Sequence, residues 1–143
     1  MSTKKILTLV AILVLAAGIW ACSFGPPESC GENIGGTANI EMFSQYFTNM
    51  AFVNQAGEAG LAGENGMVYT SADKLELRAD SLSDVDVRVC IQNFTNGNIA
   101  IDQAQTFPQG AGGISLGSFG PGIFVVRVIV DGALVKNFPF EVK

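Results

Sequence analysis

Two sets of residues have types and spacings that could do chemistry: the cysteines Cys22, Cys30 and Cys90, and the aspartates Asp80, Asp84 and Asp86. Thiols in an oxidising compartment pair into disulfides. Clustered carboxylates can work as an acid–base pair on a glycosidic bond, or offer hard oxygen ligands to Ca²⁺. The three aspartates gather near one strand turn. A solvated turn with charges flanking its strands is the plainer reading, and a Ca²⁺ site is the weak alternative. Other chemistry is disfavoured by what the chain lacks. It has no histidine, which counts against Ser-His-Asp triads, His-ligated metals and imidazole acid–base catalysis. No G-x-S-x-G occurs, since Gly117-Ser118-Phe119-Gly120 is one residue short. C-x-x-C, H-E-x-x-H and phosphate-loop patterns are missing too. The expectation is a protein that is not an enzyme, with no catalytic residues and no cofactor.

The elements that would position these residues begin after a leader. The chain has 143 residues, 48% of them apolar and only 15% charged, with a mean hydropathy of +0.36. Much of that excess lies in the first 22 residues. Lys4 and Lys5 precede the uncharged run Ile6 to Ala21, which has the form of a secretory signal. The competing reading is a permanent membrane helix. Sixteen residues would span roughly 24 Å, short of the ~30 Å hydrocarbon core. The run ends in Ile19-Trp20-Ala21-Cys22, which resembles the lipobox of bacterial lipoproteins. The resemblance implies cleavage after Ala21, lipid on Cys22, and Cys22 as the new N-terminus. Several acyl chains make such an anchor effectively permanent. Ser23, rather than an aspartate, follows the cysteine. That implies the outer membrane in a two-membrane bacterium and the outer face of the plasma membrane otherwise. The expected organisation is signal peptide 1–21, lipidated N-terminus and flexible tether 22–36, and one domain 37–143.

With Cys22 given to lipid, Cys30 and Cys90 remain as a pair. An exported chain can keep them as a disulfide, whose loop would stabilise by up to about 4 kcal/mol in the chain-entropy model. Cys90 lies in Val85-Asp86-Val87-Arg88-Val89-Cys90-Ile91-Gln92. Period-2 alternation puts the valines and Ile91 on one face and Cys90 on the other, with Asp86, Arg88 and Gln92. The bond should therefore pin the N-terminal segment across the outside of a sheet. Removing Lys4 and Lys5 takes the net charge from −5 to −7. A charge of that sign repels nucleic acid, so no nucleic-acid partner is expected.

After the Pro- and Gly-rich tether, Ile40, Phe43, Phe47 and Met50 recur at helical spacing. They predict a short helix over about 38–48, with Thr37 able to cap it and Glu41 in its first turn; a first strand is the alternative. Ala51 to Gln55 reads as a short strand. Gly57, Gly60, Gly63 and Gly66 keep a three-residue period and read as a mobile loop, too short for a triple helix. Alternation then marks strands from Leu75, Val85 and Asn98. Gly110 to Gly113 reads as a break before a short strand, Ile114 to Leu116. Ile123 to Val130 reads as a central strand whose one charge, Arg127, must find a partner or snorkel. Asn96-Gly97 and Asp131-Gly132 are hairpin turns. Pro139 suggests that the last strand is an edge or carries a local break.

About seven short strands with frequent turns predict a mainly β protein: an antiparallel sandwich with a short N-terminal helix. The closing stretch LGSFGPGIFVVRVIVDGALVKNFPFEV resembles bacterial immunoglobulin-like and fibronectin-III-like modules. The resemblance covers roughly residues 74–142, with Phe124 where such modules often place a tyrosine. It implies an Ig-like β-sandwich, without the core Trp or the inter-sheet disulfide of antibody domains. Phe107, Phe119, Phe124, Phe138 and Phe140 are expected in its core. The function expected is a membrane-anchored, extracytoplasmic, non-catalytic module: adhesion, envelope scaffold or accessory subunit. Its partners would be membrane lipid through Cys22 and a protein or other envelope component. A periplasmic small-ligand or carbohydrate-binding protein, Ca²⁺-assisted or not, is the alternative. The helix and the 54–67 segment are the candidate contact surfaces.

Overall fold

The computed structural model describes Cys30 and residues 37–143. The expected signal 1–21, Cys22 and, apart from Cys30, the expected tether lie outside the described residues. One short helix, α1 (Ile40–Tyr46), is followed by nine strands: β1 (Phe47–Asn54), β2 (Leu61–Gly63), β3 (Gly66–Tyr69), β4 (Leu75–Ser81), β5 (Val85–Asn93), β6 (Ile99–Phe107), β7 (Gly110–Gly117), β8 (Gly122–Val130) and β9 (Ala133–Val142). They form two sheets, β1-β4-β7 and β2-β3-β9-β8-β5-β6, in a sandwich-like arrangement. Every pairing is antiparallel except β3 on β9.

The helix is shorter than its apolar period suggests. Asn39, not Thr37, caps it, its side-chain oxygen accepting from the Met42 N–H at 3.0 Å. At Phe47 the backbone turns extended, because Phe47 and Met50 are claimed by pairing with Ser81 and Ala79 of β4. One apolar stripe is thus divided between a helix and a strand. The Asn39 N–H donates to Leu134 O, and the Tyr46 hydroxyl donates to Asp131 in the β8–β9 turn. These two bonds lay α1 against the last hairpin. There the Lys136 ammonium sits over the rings of Phe43 and Phe138, a cation–π contact.

The core lies between the sheets. Leu77, Val89, Ile91, Val126, Val128 and Phe140 are completely buried, each contributing roughly 1.5–3 kcal/mol by leaving water. Phe140 centres an aromatic cluster, 4.9 Å from Phe52, 5.1 Å from Phe124 and 5.5 Å from Phe119. Phe107, Phe119, Phe124 and Phe140 are buried as expected, and Phe138 packs half-buried on the same cluster. β8 is central, between β9 and β5. The Arg127 Nε is buried and makes no hydrogen bond among the described residues.

Three local expectations are corrected. Gly110–Gly113 does not break the chain but belongs to β7, paired with Arg78 to Ser81 of β4. A Cβ at Gly113 would sit 3.3 Å from Leu77 O, so small residues let β7 lie close along β4. Of the two alternatives for the last strand, the edge is excluded and a local irregularity is found: β9 runs between β3 and β8. Its register slips by one residue at Val135, and its parallel ladder to β3 starts at Phe140, one residue past Pro139. The 57–66 segment, expected as a mobile loop, contains β2 and the first residue of β3, the two strands beyond the seven foreseen. Its approach is also fixed, since Asn54 Oδ1 accepts from the Ala56 and Glu58 N–H groups.

Candidate functional site

The sheets differ in width by three strands, and the excess decides where the molecule is open. Phe52 of β1 packs on Tyr69 of β3 and on Phe138 and Phe140 of β9. β1 is the edge of the narrow sheet, so the β2–β3 hairpin projects beyond it. Beneath the hairpin is a pocket of about 420 Å³. Its lining includes the rings of Phe52 and Phe138, which pack on each other with centroids 6.0 Å apart. Its roof is Ala62 and Met67 with the backbone at Gly63 and Gly66. Asn137 is the one polar side chain in the lining, and no charged residue lines it. Met67 is 41% exposed.

Glycines let the hairpin close tightly on itself, and one of them, Gly66, lets it lie close to β9. A Cβ on Gly60 would lie 2.6 Å from Val68 O, one on Gly63 would lie 2.5 Å from Val68 Cγ2, and one on Gly66 would collide with the Pro139 carbonyl. Gly66 also has a φ of +104°, which disfavours any side chain there. Asn65 Nδ2 donates to Glu141 and the Lys143 N–H donates to Tyr69 O, fastening both ends of β3. Tyr69 stands behind the pocket wall and donates its hydroxyl to Phe52 O at 2.8 Å. Burial raises its pKa, keeping the phenol a donor.

The cysteines lie elsewhere. Cys30 and Cys90 are bonded, with Cα atoms 5.8 Å apart, on the outer face of the six-stranded sheet. They pack with Ile129, Leu134 and Ile99 in a small cluster separate from the main core. Arg88 buttresses the same face, donating to both Asp102 oxygens (2.8 and 2.7 Å) and to Cys30 O (3.2 Å). The guanidinium holds the Asp102 pKa below the usual carboxylate value. The alternation around Cys90 had assigned it to this face.

The three aspartates are not brought together. Asp80 projects from the outer face of the narrow sheet. Asp86 projects from the outer face of the wide one, where it accepts from the Thr106 hydroxyl. Asp84 accepts the Gln109 N–H at 2.8 Å. Asp80 and Asp86 lie on β4 and β5, strands of different sheets, and alternation turns both outward, so nearness in sequence becomes separation across the sandwich. Among the described residues no group of three or more His, Cys, Asp or Glu is placed to hold a metal. Cys22, the lipidation candidate, lies outside the described residues.

Ala62 and Met67 lie in the 54–67 segment expected as a contact surface, whereas Phe138, expected only as core, is a pocket residue that the sequence does not mark. The available signal was the glycine period of 57–66, which marks close packing over the hairpin rather than mobility. No protein-family model matches the sequence, and no curated protein matches it.

Proposed function

We propose that the chain is a lipid-anchored, extracytoplasmic binding module without catalytic chemistry, its signal removed after Ala21 and its lipid carried by Cys22. The Ig-like resemblance of residues 74–142 belongs to this reading, with β4 to β9 forming the module. The supporting observation is the Cys30–Cys90 disulfide, a bond that persists in exported proteins and is rare in a reducing cytosol. It also shortens the tether. Eight residue steps separate Cys22 from Cys30, a reach of at most roughly 28 Å. The wide sheet's outer face then stays near the bilayer, and the pocket, which opens at the sandwich edge, is left for a ligand.

Between the two classes of contact considered, the pocket favours ligand binding over a purely structural role. Its lining speaks against carbohydrate, because sugar hydroxyls need hydrogen-bonding partners when buried and the lining offers one amide. Intact mass of the purified chain tests the anchor. The expected mass is that of residues 22–143 plus acyl chains, less two hydrogens for the disulfide. In fractionation, Cys22→Ala should abolish the lipid and alter processing and membrane retention. An unlipidated chain with its first 21 residues attached, or unchanged fractionation of Cys22→Ala, overturns the proposal.

A further inference from the structure

We infer that the pocket under the β2–β3 hairpin binds an apolar small molecule that carries no negative charge. The inference rests on reading the chain as a binding module, but not on where that module is anchored.

The wide sheet overruns the narrow one at both ends, which supplies an internal control. Gln103 and Gln105 of β6 pair with Val89 and Val87, so they share the inward face, and they are half-buried and exposed respectively. Of the incompletely covered inward positions at that end, Ile101 packs on the core, and the two more open ones carry amides that water can satisfy. At the other end, Met67 pairs with Phe140 and Ala62 with Met67, and the uncovered inward positions are apolar. The difference is chemical, not topological. A concave apolar surface of about 420 Å³ falls within the ~300–1,000 Å³ range of small-molecule sites. Its shape is pre-formed, because the glycine contacts and the parallel ladder set the height of the roof.

Charge sets the ligand class. No basic residue lines the pocket, and the exposed Glu58 and Glu64 adjoin the lining residues Ala59 and Gly63 in sequence. Lys136, on β9 beside the lining residue Asn137, already has its ammonium over the Phe43 and Phe138 rings. With no cationic group in the lining, a carboxylate there finds no ion-pair partner, and burying an unpaired charge is costly. A head without negative charge at the mouth does not carry that cost.

Photolabelling tests this on the full chain in cell membranes and, for Cys22→Ala, in whichever fraction holds the protein. The probes are decyl alcohol bearing an aliphatic diazirine and the matching decanoic acid. After illumination, the alcohol should label peptides containing Met67 and Phe138, and the acid should label them several-fold less. Ala62→Trp, which fills the pocket, should cut labelling at least about tenfold, while Gln103→Trp at the opposite end leaves it unchanged. Met67→Glu, at a half-exposed site that tolerates polarity, gives the same loss if Ala62→Trp does not fold. Labelling undiminished by Ala62→Trp and Met67→Glu overturns the inference, as does equal labelling by the acid. Labelling that falls with rising protein concentration, alongside dimers cross-linked through Met67, also overturns it by giving the pocket to a second copy. Labelling of Met67 in a Cys22→Ala chain that stays in the membrane would leave this inference standing and remove the anchor proposal instead.

Discussion

The two ends of the wide sheet are held in place by different means. Near β6 the support is covalent and ionic: the Cys30–Cys90 bond lies on the outer face of β5, and Arg88 ties Asp102 of β6 to the Cys30 carbonyl. At the β2–β3 end there is a three-residue parallel ladder and a set of closely packed glycines where an added Cβ would be crowded. The fastened end has amides, Gln103 and Gln105, at its open inward positions beside Ile101 and Phe107, and the lightly held end has only apolar ones. Local stability follows contact and cross-linking, and ligand sites are drawn from the less stable regions of a fold. The hairpin is therefore the end that opens most readily to admit a guest into the pre-formed pocket.

Removing the disulfide should have the largest effect. Replacing both Cys30 and Cys90 with Ser should lower the unfolding free energy by up to about 4 kcal/mol, read by guanidinium denaturation. The comparison is sharpened if pocket photolabelling survives in native buffer, and broken if hairpin and disulfide fail together. Gly66→Ala comes next. Its φ of +104° and the collision with Pro139 O should cost about 3 kcal/mol. Gly97→Ala in the β5–β6 turn has a φ of +74° but open space, with only Gln92 Nε2 within 4 Å, at 3.9 Å, and should cost about 1 kcal/mol. Thermal unfolding reads both. Amide exchange at Val68 and Tyr69 should rise for Gly66→Ala alone.

Much of this architecture could be read along the chain, and what escaped has identifiable causes. Val85 to Ile91 alternates strictly because one face meets the core, and that pattern placed Cys90 on the outside. Ile123 to Val130 is nearly continuous because β8 is covered on both faces. The apolar stripe from Ile40 to Met50 misled, because helical and strand burial coincide over so few residues; pairing with β4 decided the outcome. β2 and β3 have three and four residues, too few to show a period. Their place was fixed by glycine contacts with residues as distant as Pro139. The pocket was hidden for the same reason: whether Met67 or Gln103 is covered depends on how far the opposite sheet extends, and neither segment encodes that alone.

A smaller effect should come from exchanging the chemistry of the two overhangs. Met67→Gln and Gln105→Leu both lie at partly or fully exposed positions and should each change stability by no more than about 0.5 kcal/mol. Their other consequences should diverge. Met67→Gln should lose photolabelling. Gln105→Leu puts an apolar side chain beside the unpaired edge of β6, which invites strand-to-strand association, and sedimentation velocity should show a concentration-dependent dimer. If Gln105→Leu remains monomeric and gains labelling at its own end, polarity alone explains the pocket and the hairpin geometry adds nothing.

The smallest expected effect is electrostatic and confined to the β6 end. Arg88 lowers the Asp102 pKa, chiefly through their hydrogen bonds, but both side chains are more than a third exposed, at 41% and 37%. Solvent screening then limits the pair to less than about 1 kcal/mol. A carboxylate whose folded pKa is depressed favours folding wherever the unfolded chain would bind the proton more readily. The contribution is therefore complete above the unfolded value of about 3.9 and disappears as pH falls through the lower folded value. The stability difference between wild type and Asp102→Asn should be flat from neutral pH to near 5 and shrink below 4. The pocket's lining contains no titrating group, so probe labelling by the alcohol should not follow that curve. If labelling and the Asp102 difference fall together, the two ends of the sheet are coupled, and the separate fastening drawn for them is wrong.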